Sequence, residues 1–355
     1  MPFAKHLASA TVVAFALFAA VGSHPQIAST APLDPTALLR ASIDAPKSVS
    51  YVGQFETVRF SSSHAVATIV KVEHRSPAET RRWYVAPDAL YGDYVIQRGA
   101  AVYEFDTKHD KVTVTHNPLL DDQVATADNF DRVLENYRAI DDGPGMIAEH
   151  PTDSIELVNK YTGERAIRVW LDAKTHLVLK KEEYHGNGAV ASQTLFDDLR
   201  YTSSIPEAVF STALPGGFSE ENGTELSMPS TDIDRTIKDA GFKPYTPKDL
   251  PQGFVLTSSA VDTVPQSGAS GGVRTLHLLY ADGLRSISLF ENSNGASADF
   301  GNFRPKSIRF EDHDASYVEE GPTTLLTWKE HGLHFALVGD LLLPELVAIA
   351  KSVVP

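Results

Sequence analysis

GERAIRVWLDAKTHLVLKKEEYHGNGAVASQTLFDDLRY, residues 163–201, reads as three antiparallel strands. The first covers 164–171 and sets Ile167, Val169 and Leu171 on one face at period two. Asp172-Ala173-Lys174-Thr175 supplies a turn, because Asp and Thr side chains bond their own backbone there. The second strand covers 176–185. His185-Gly186-Asn187-Gly188 turns the chain again, since Gly and Asn tolerate positive φ. The third strand, 189–201, carries Leu195, Phe196, Leu199 and Tyr201. By spacing alone, any antiparallel meander satisfies this pattern.

Upstream, the same grammar repeats. A short helix is expected at 35–43, with Leu38, Leu39 and Ile43 on one side. A strand follows over 48–60, then others near 64–74, 80–86, 92–97, 101–106 and 111–115. Ser, Pro, Gly and Asp clusters punctuate them. Short, evenly spaced strands point to an antiparallel sheet and not to βαβ units. Residues 128–140, DNFDRVLENYRAI, place Phe130, Val133, Leu134 and Tyr137 at helical spacing. A helix is expected there, capped by Asp128 and ended by Asp141-Asp142-Gly143-Pro144-Gly145.

The 355 residues suggest two domains, and 42% apolar content is ample for a core. The expected division is 1–31 targeting segment and lead-in, 32–210 first domain, 211–230 linker and 231–355 second domain. Leu7–Gly22 carry no charge and follow Lys5, and Ala20-Val21-Gly22 resembles a cleavage site; an uncleaved anchor is the alternative. Either reading exports the rest of the chain. A formal net charge of −15 argues against nucleic acid as partner, since phosphate binding needs a basic face. There is no cysteine, which removes thiol nucleophiles, disulfides and a lipobox together.

In the second half, Asp232–Ala240 reads as a helix stopped by Gly241. Leu250-Pro251-x-Gly253-Phe254 leads into a strand at 253–263. Leu276–Glu291 reads as a hairpin around Asp282-Gly283, a strong hairpin signal. Strands near 315–319, 323–330 and 333–339 precede a closing helix, Pro344–Val353.

Specific residues narrow the reading. Val169-Trp170-Leu171-Asp172-x-x-Thr175-x-Leu177-Val178-Leu179-Lys180, then Tyr184-x-x-x-Gly188 and Phe196-x-Asp198-Leu199, resemble the bacterial lipoprotein-carrier superfamily, which includes the LolA and LolB carriers. Tyr51-Val52-Gly53-Gln54-Phe55, Val72-Glu73-His74-Arg75, Tyr94–Gly99 and Val102–Phe105 resemble the amino-terminal domain of the MucB/RseB regulators. Arg81–Pro87 departs from that family's leucine-rich segment. The L-P-x-G-F entry and the Tyr280–Glu291 hairpin resemble the RseB-type carboxy-terminal domain.

The resemblance implies an α+β, mainly antiparallel fold: an unclosed barrel with plugging helices, followed by a smaller α+β domain. It implies a periplasmic, non-enzymatic regulator that binds an anti-sigma factor or similar membrane-anchored partner and is modulated by a lipid or lipoprotein ligand; a LolA-type periplasmic lipid or lipoprotein carrier is the alternative. Phe55, Ile69, Trp83, Ile96, Trp170, Leu179 and Phe196 are expected to line a pocket for acyl chains, with ordinary core packing as the alternative for each. The 13 histidines are scattered, and no H-E-x-x-H, Walker or G-x-S-x-G motif occurs. No catalytic residue, metal site or cofactor is expected. Glu311-Asp312-His313-Asp314 reads as a solvated turn, with a cation site as the alternative.

Overall fold

A computed structural model describes residues 34–61, 64–116, 129–222, 230–264, 273–293, 300, 304–320 and 323–354. The expected targeting segment and Asp128 lie outside the described residues. Among those described, no helix is long and apolar enough to cross a membrane.

Helix α1 (Pro35–Ser48) opens the chain. Asp34 caps it by accepting from the Thr36 amide, and Pro35 takes the first helical position, where no amide donor is needed. Strands β1 (Tyr51–Phe60), β2 (Ala65–Arg75), β3 (Glu79–Ala86), β4 (Tyr94–Arg98), β5 (Ala101–Asp106) and β6 (Lys111–His116) follow as a meander. Helix α2 (Phe130–Asn136) leads directly into β7 (Tyr137–Ile147). Then come β8 (His150–Asn159), β9 (Arg165–Asp172), β10 (Val178–Tyr184), β11 (Val190–Tyr201) and β12 (Ser219–Asn222).

All twelve strands form one sheet, ordered β12-β6-β5-β4-β3-β2-β1-β11-β10-β9-β8-β7. Pairing of β1 with β11 joins the two meanders, and among the described residues β12 and β7 remain as unpaired edges, so the barrel is unclosed. The decisive stretch forms as expected. Asp172 Oδ1 accepts from the Lys174 and Thr175 amides, and Gly188 turns with φ +80°.

One expectation is corrected. The helix expected over 128–140 ends at Asn136, and 137–147 is strand. Backbone pairing with β8 along the whole segment outweighs the helical side-chain spacing. Gly143, expected to end the helix, sits instead at a register shift in β7 with φ +86°. Pro144 is tolerated there because β7 is an edge strand. Within the stretch read as linker, 211–230, β12 pairs in parallel with β6, and Phe218 packs against the cluster of Ile96, Phe105 and Phe210.

The remaining chain forms α3 (Ile233–Ala240), β13 (Thr246–Pro247), β14 (Val255–Val264), β15 (Val273–Ala281), β16 (Ser286–Asn292), β17 (Lys306–Phe310), β18 (His313–Glu320), β19 (Thr323–Glu330), β20 (Leu333–Gly339), α4 (Leu343–Lys351) and β21 (Val353–Val354). A second sheet runs β14-β15-β16-β20-β19-β18-β17, and β13 pairs with β21. Gly241 ends α3 in the left-handed region. The second core gathers Leu276, Leu278, Ile287, Leu289, Leu326, Phe335 and Leu337 under α4. The fold is thus α+β and mainly antiparallel, an unclosed barrel followed by a smaller sheet with helices.

Candidate functional site

Strand parity decides which residues can share a site, because directly opposed residues project from the same face of a sheet. Tyr51 opposes His74, and His74 opposes Thr80; Phe55 opposes Val70 and Phe196; Val72 opposes Arg82. All of these but Val70 line a cavity of about 240 Å³ under α1. Its floor is apolar: Tyr51, Phe55, Val72, Leu177, Leu179 and Phe196. Phe196 packs edge-on against both Tyr51 and Phe55, at 5.9 and 5.6 Å between ring centres. Ser42, Ile43, Pro46 and Lys47 of α1 form one wall. Arg82, Gln97 and Lys181 add polar groups, and among the described residues no carboxylate lines the cavity.

His74 fixes the wall in place. The carbonyl of Pro46 can only accept, so Nε2 of His74, 2.7 Å away, carries the proton. Its Nδ1 is hydrogen-bonded to the Thr80 hydroxyl, 2.8 Å away. The ring also stacks on Tyr51 at 5.0 Å. One buried imidazole therefore ties the last turn of α1 to β2 and β3.

Of the seven residues expected to line the pocket, Phe55, Leu179 and Phe196 are brought together on its floor. The other four project from the opposite face. Ile69 opposes Glu56, one step out of phase with Phe55. Trp83 opposes Lys71, is 44% exposed and lies under the Arg81 guanidinium. Ile96 opposes Arg81 and belongs to the outer cluster under Phe210. Trp170 opposes Ser154 and Lys180, with Arg168 and Lys180 stacked on its ring. Apolar character is shared by both faces of this sheet, and only parity counted from a known inner residue separates them. His74, Arg82 and Lys181 were missed for the same reason: each alternates with the correct apolar residue, in Val70-x-Val72-x-His74 and Leu179-x-Lys181.

A second polar cluster lies between the two sheets. The Asp282-Gly283-Leu284-Arg285 turn, read from sequence as a surface hairpin turn, is inserted against α2 and β7. Asp282 is 1% exposed. Its Oδ1 accepts from the Leu284 and Arg285 amides, and its Oδ2 from the Tyr137 hydroxyl at 2.5 Å and Arg285 Nε at 3.2 Å. Asn136 Nδ2 donates to the Asp282 and Gly253 carbonyls, and Asn129 Nδ2 to the Gly283 carbonyl. Leu284 packs against Val133, Tyr137 and their neighbours in the first core. Gly283 has φ +105°, and a Cβ there would lie 2.7 Å from the Val133 nitrogen, so only glycine fits. Burial and the Asp282 charge hold the Tyr137 hydroxyl far above its usual titration range. A smaller contact pairs His64 of the β1–β2 turn with Glu320 at 3.8 Å.

Two solved MucB structures share this architecture. MucB in complex with MucA(peri) aligns with 91% of this chain and 99% of its own, at 18% identity and TM-score 0.58. The Pseudomonas aeruginosa MucA/MucB complex gives the same coverage and identity with TM-score 0.60. A LolA superfamily protein from Nitrosomonas europaea matches 51% of this chain and 99% of its own, at 11% identity and TM-score 0.28. No curated protein matches the chain. The MucB/RseB N-terminal domain matches residues 34–214, more than half of the sequence and all of the elements that build the cavity, so the chain belongs to the MucB/RseB family.

Proposed function

We propose that this protein is a non-enzymatic regulator of the bacterial envelope that binds the extracytoplasmic segment of a membrane-anchored anti-sigma factor. The observation that carries this reading is the family match together with a fold shared, over nine tenths of the chain, with MucB crystallised with MucA(peri). The export expected from the sequence places the protein where such a segment is found. Residues 32–210 and 231–355 serve as two domains that grip the partner together.

The cavity is proposed to take an acyl chain of an anionic amphiphile. Its floor of Phe55, Leu179 and Phe196 suits the chain, and Arg82 and Lys181, with Lys47 at the α1 wall, suit a phosphate or carboxylate head, which would compete with Glu183 for Lys181 and with Asp44 for Lys47. Its volume of about 240 Å³ lies just below the ~300–1,000 Å³ usual for small-molecule sites, which favours a single chain over a bulky lipid. Ligand in the cavity weakens the grip on the partner, and bound partner must weaken ligand binding by the same factor. A simple carrier of the LolA type would have no use for the clasped second sheet.

The test is a calorimetric titration of the full chain with the anti-sigma segment from the same cell, with and without saturating decyl phosphate. Partner binding in the micromolar range or tighter is expected, weakened about fivefold or more by decyl phosphate. No partner binding overturns the regulator reading; decyl phosphate binding without partner binding supports the carrier. Because Trp83 and Trp170 lie on the outer face, their fluorescence does not report the cavity directly; a Phe55→Trp variant does, and its emission is expected to shift blue on adding decyl phosphate.

A further inference from the structure

Helix α1 belongs to two environments at once. Ser42, Ile43, Pro46 and Lys47 wall the cavity. Leu38, Leu39 and Ile43 pack into the cluster built from Phe130, Val133 and Tyr137, against which Leu284 of the second sheet also packs. Ile43 is the α1 side chain common to both, and Val178 of β10 is shared as well. Arg40 reinforces the connection, with its guanidinium 4.2 Å from the centre of the Phe130 ring. Beyond this cluster stands the Asp282–Arg285 turn, held by Tyr137, Asn136 and Asn129.

We infer that α1 is the mechanical link between the two: matter entering the cavity shifts α1 outward through Ile43 and loosens the second sheet's 282–285 turn from its seat on α2 and β7. The inference rests on the proposed cavity reading only for the identity of the natural ligand, not for the link itself. Three observations carry it. The cluster has no slack, since Leu39, Val133 and Leu157 are fully buried, and close-packed interiors transmit displacement instead of absorbing it. The turn has none either, since its Gly283 backbone already approaches Val133 too closely for any side chain. The inner end of α1 rests on the sheet through the His74–Pro46 hydrogen bond and through Ala45, packed with Tyr51, Val72 and Leu179 of the cavity, so a displacement of the wall is carried along the helix. A filled cavity and a seated turn therefore compete for the position of α1, which makes the turn's seating the two-state element that the cavity biases.

Amide hydrogen exchange at Leu284 and Arg285 reads the seating directly, because both amides are protected by Asp282 Oδ1, whose carboxylate Tyr137 pins. The full-length chain is compared in three forms: wild type with and without saturating decyl phosphate, Val72→Phe without ligand, and Val72→Phe carrying Ile43→Ala. Val72→Phe fills the cavity from its own floor; should it fail to fold, Ala78→Trp, on a half-buried lining position, replaces it. Exchange of the two amides is expected to rise about fivefold or more in the filled variant and in the liganded wild type, and to return towards the wild-type rate when Ile43 is truncated. Unchanged exchange in a folded, cavity-filled variant overturns the inference. So does a rise that survives Ile43→Ala, because the link would then run elsewhere. Faster exchange in Val72→Phe with no calorimetric binding of decyl phosphate sustains the inference and removes the ligand proposed above, so the two readings fail separately.

Discussion

Asp282→Ala is expected to destabilise the protein by about 3–5 kcal/mol, the cost of leaving the partner of a buried ion pair uncompensated. Arg285, one fifth exposed, would lose its carboxylate, and the Tyr137 hydroxyl would lose its acceptor in a site closed to water. The Leu284 and Arg285 amides would lose their acceptor as well. Asp282→Asn is expected to cost less, because its amide oxygen can still accept both turn amides while the charge is lost. Urea unfolding of the two variants checks this. A loss below about 1 kcal/mol for the alanine variant would mean that the turn is seated by Leu284 and Gly283 alone. Combining Asp282→Asn with Tyr137→Phe should show coupling of about 1.5–3 kcal/mol, the range for hydrogen bonds to charged groups.

Glu291→Gln is expected to act in the opposite direction. Glu291 lies on β16 with its side chain in the second core, at 0% exposure. Oε2 accepts from the Tyr245 amide at 2.9 Å, and Oε1 has no partner. Burial pushes its carboxyl from 4.5 up to about 8, offset in part by the Tyr245 hydrogen bond. The folded protein therefore holds a proton that the unfolded chain releases. A raised folded value means that the full stability is present below about pH 4.5 and is lost progressively as pH rises towards about 8. Glutamine keeps the acceptor and removes the titration. At pH 8 the variant should exceed wild type by about 3–5 kcal/mol, with the difference vanishing near pH 4.5. Denaturant midpoints measured from pH 5 to 9 on both proteins check the slope. Parallel curves would show that Glu291 is ionised in the folded state at neutral pH.

These two sites explain why a hairpin signal as clear as Asp282-Gly283 conceals its role. The dipeptide specifies the turn through local backbone geometry, and the turn forms as specified. Nothing local records that its carboxylate faces a tyrosine 145 positions earlier in the chain. Likewise, Phe130, Val133, Leu134 and Tyr137 mark a buried face correctly, since Phe130, Val133 and Tyr137 are all buried. The helix nevertheless stops at Asn136, because the following residues pair along β8 and because Asn136 itself is used on the Asp282 and Gly253 carbonyls.

What the sequence by itself determined is local: the strands of residues 163–201 and their Asp–Thr and Gly–Asn turns, the order of the meander, α1, α3 and the Gly241 stop, and, through its motifs, the family. Period-two patterning and turn chemistry act within a few residues, so they survive in any one-dimensional reading. Only the tertiary structure decided which face of the sheet is the inside, and so which of seven apolar residues surround the cavity. A one-residue change of phase sends a side chain to the other face, and both faces of this sheet are apolar because α1 covers one and the 205–218 segment covers the other. The tertiary structure alone also brought His74, Arg82 and Lys181 to the cavity and Asp282 to Tyr137. Those contacts join elements far apart in the chain, and their energy comes from burial and charge pairing that exist only once both sheets are in place.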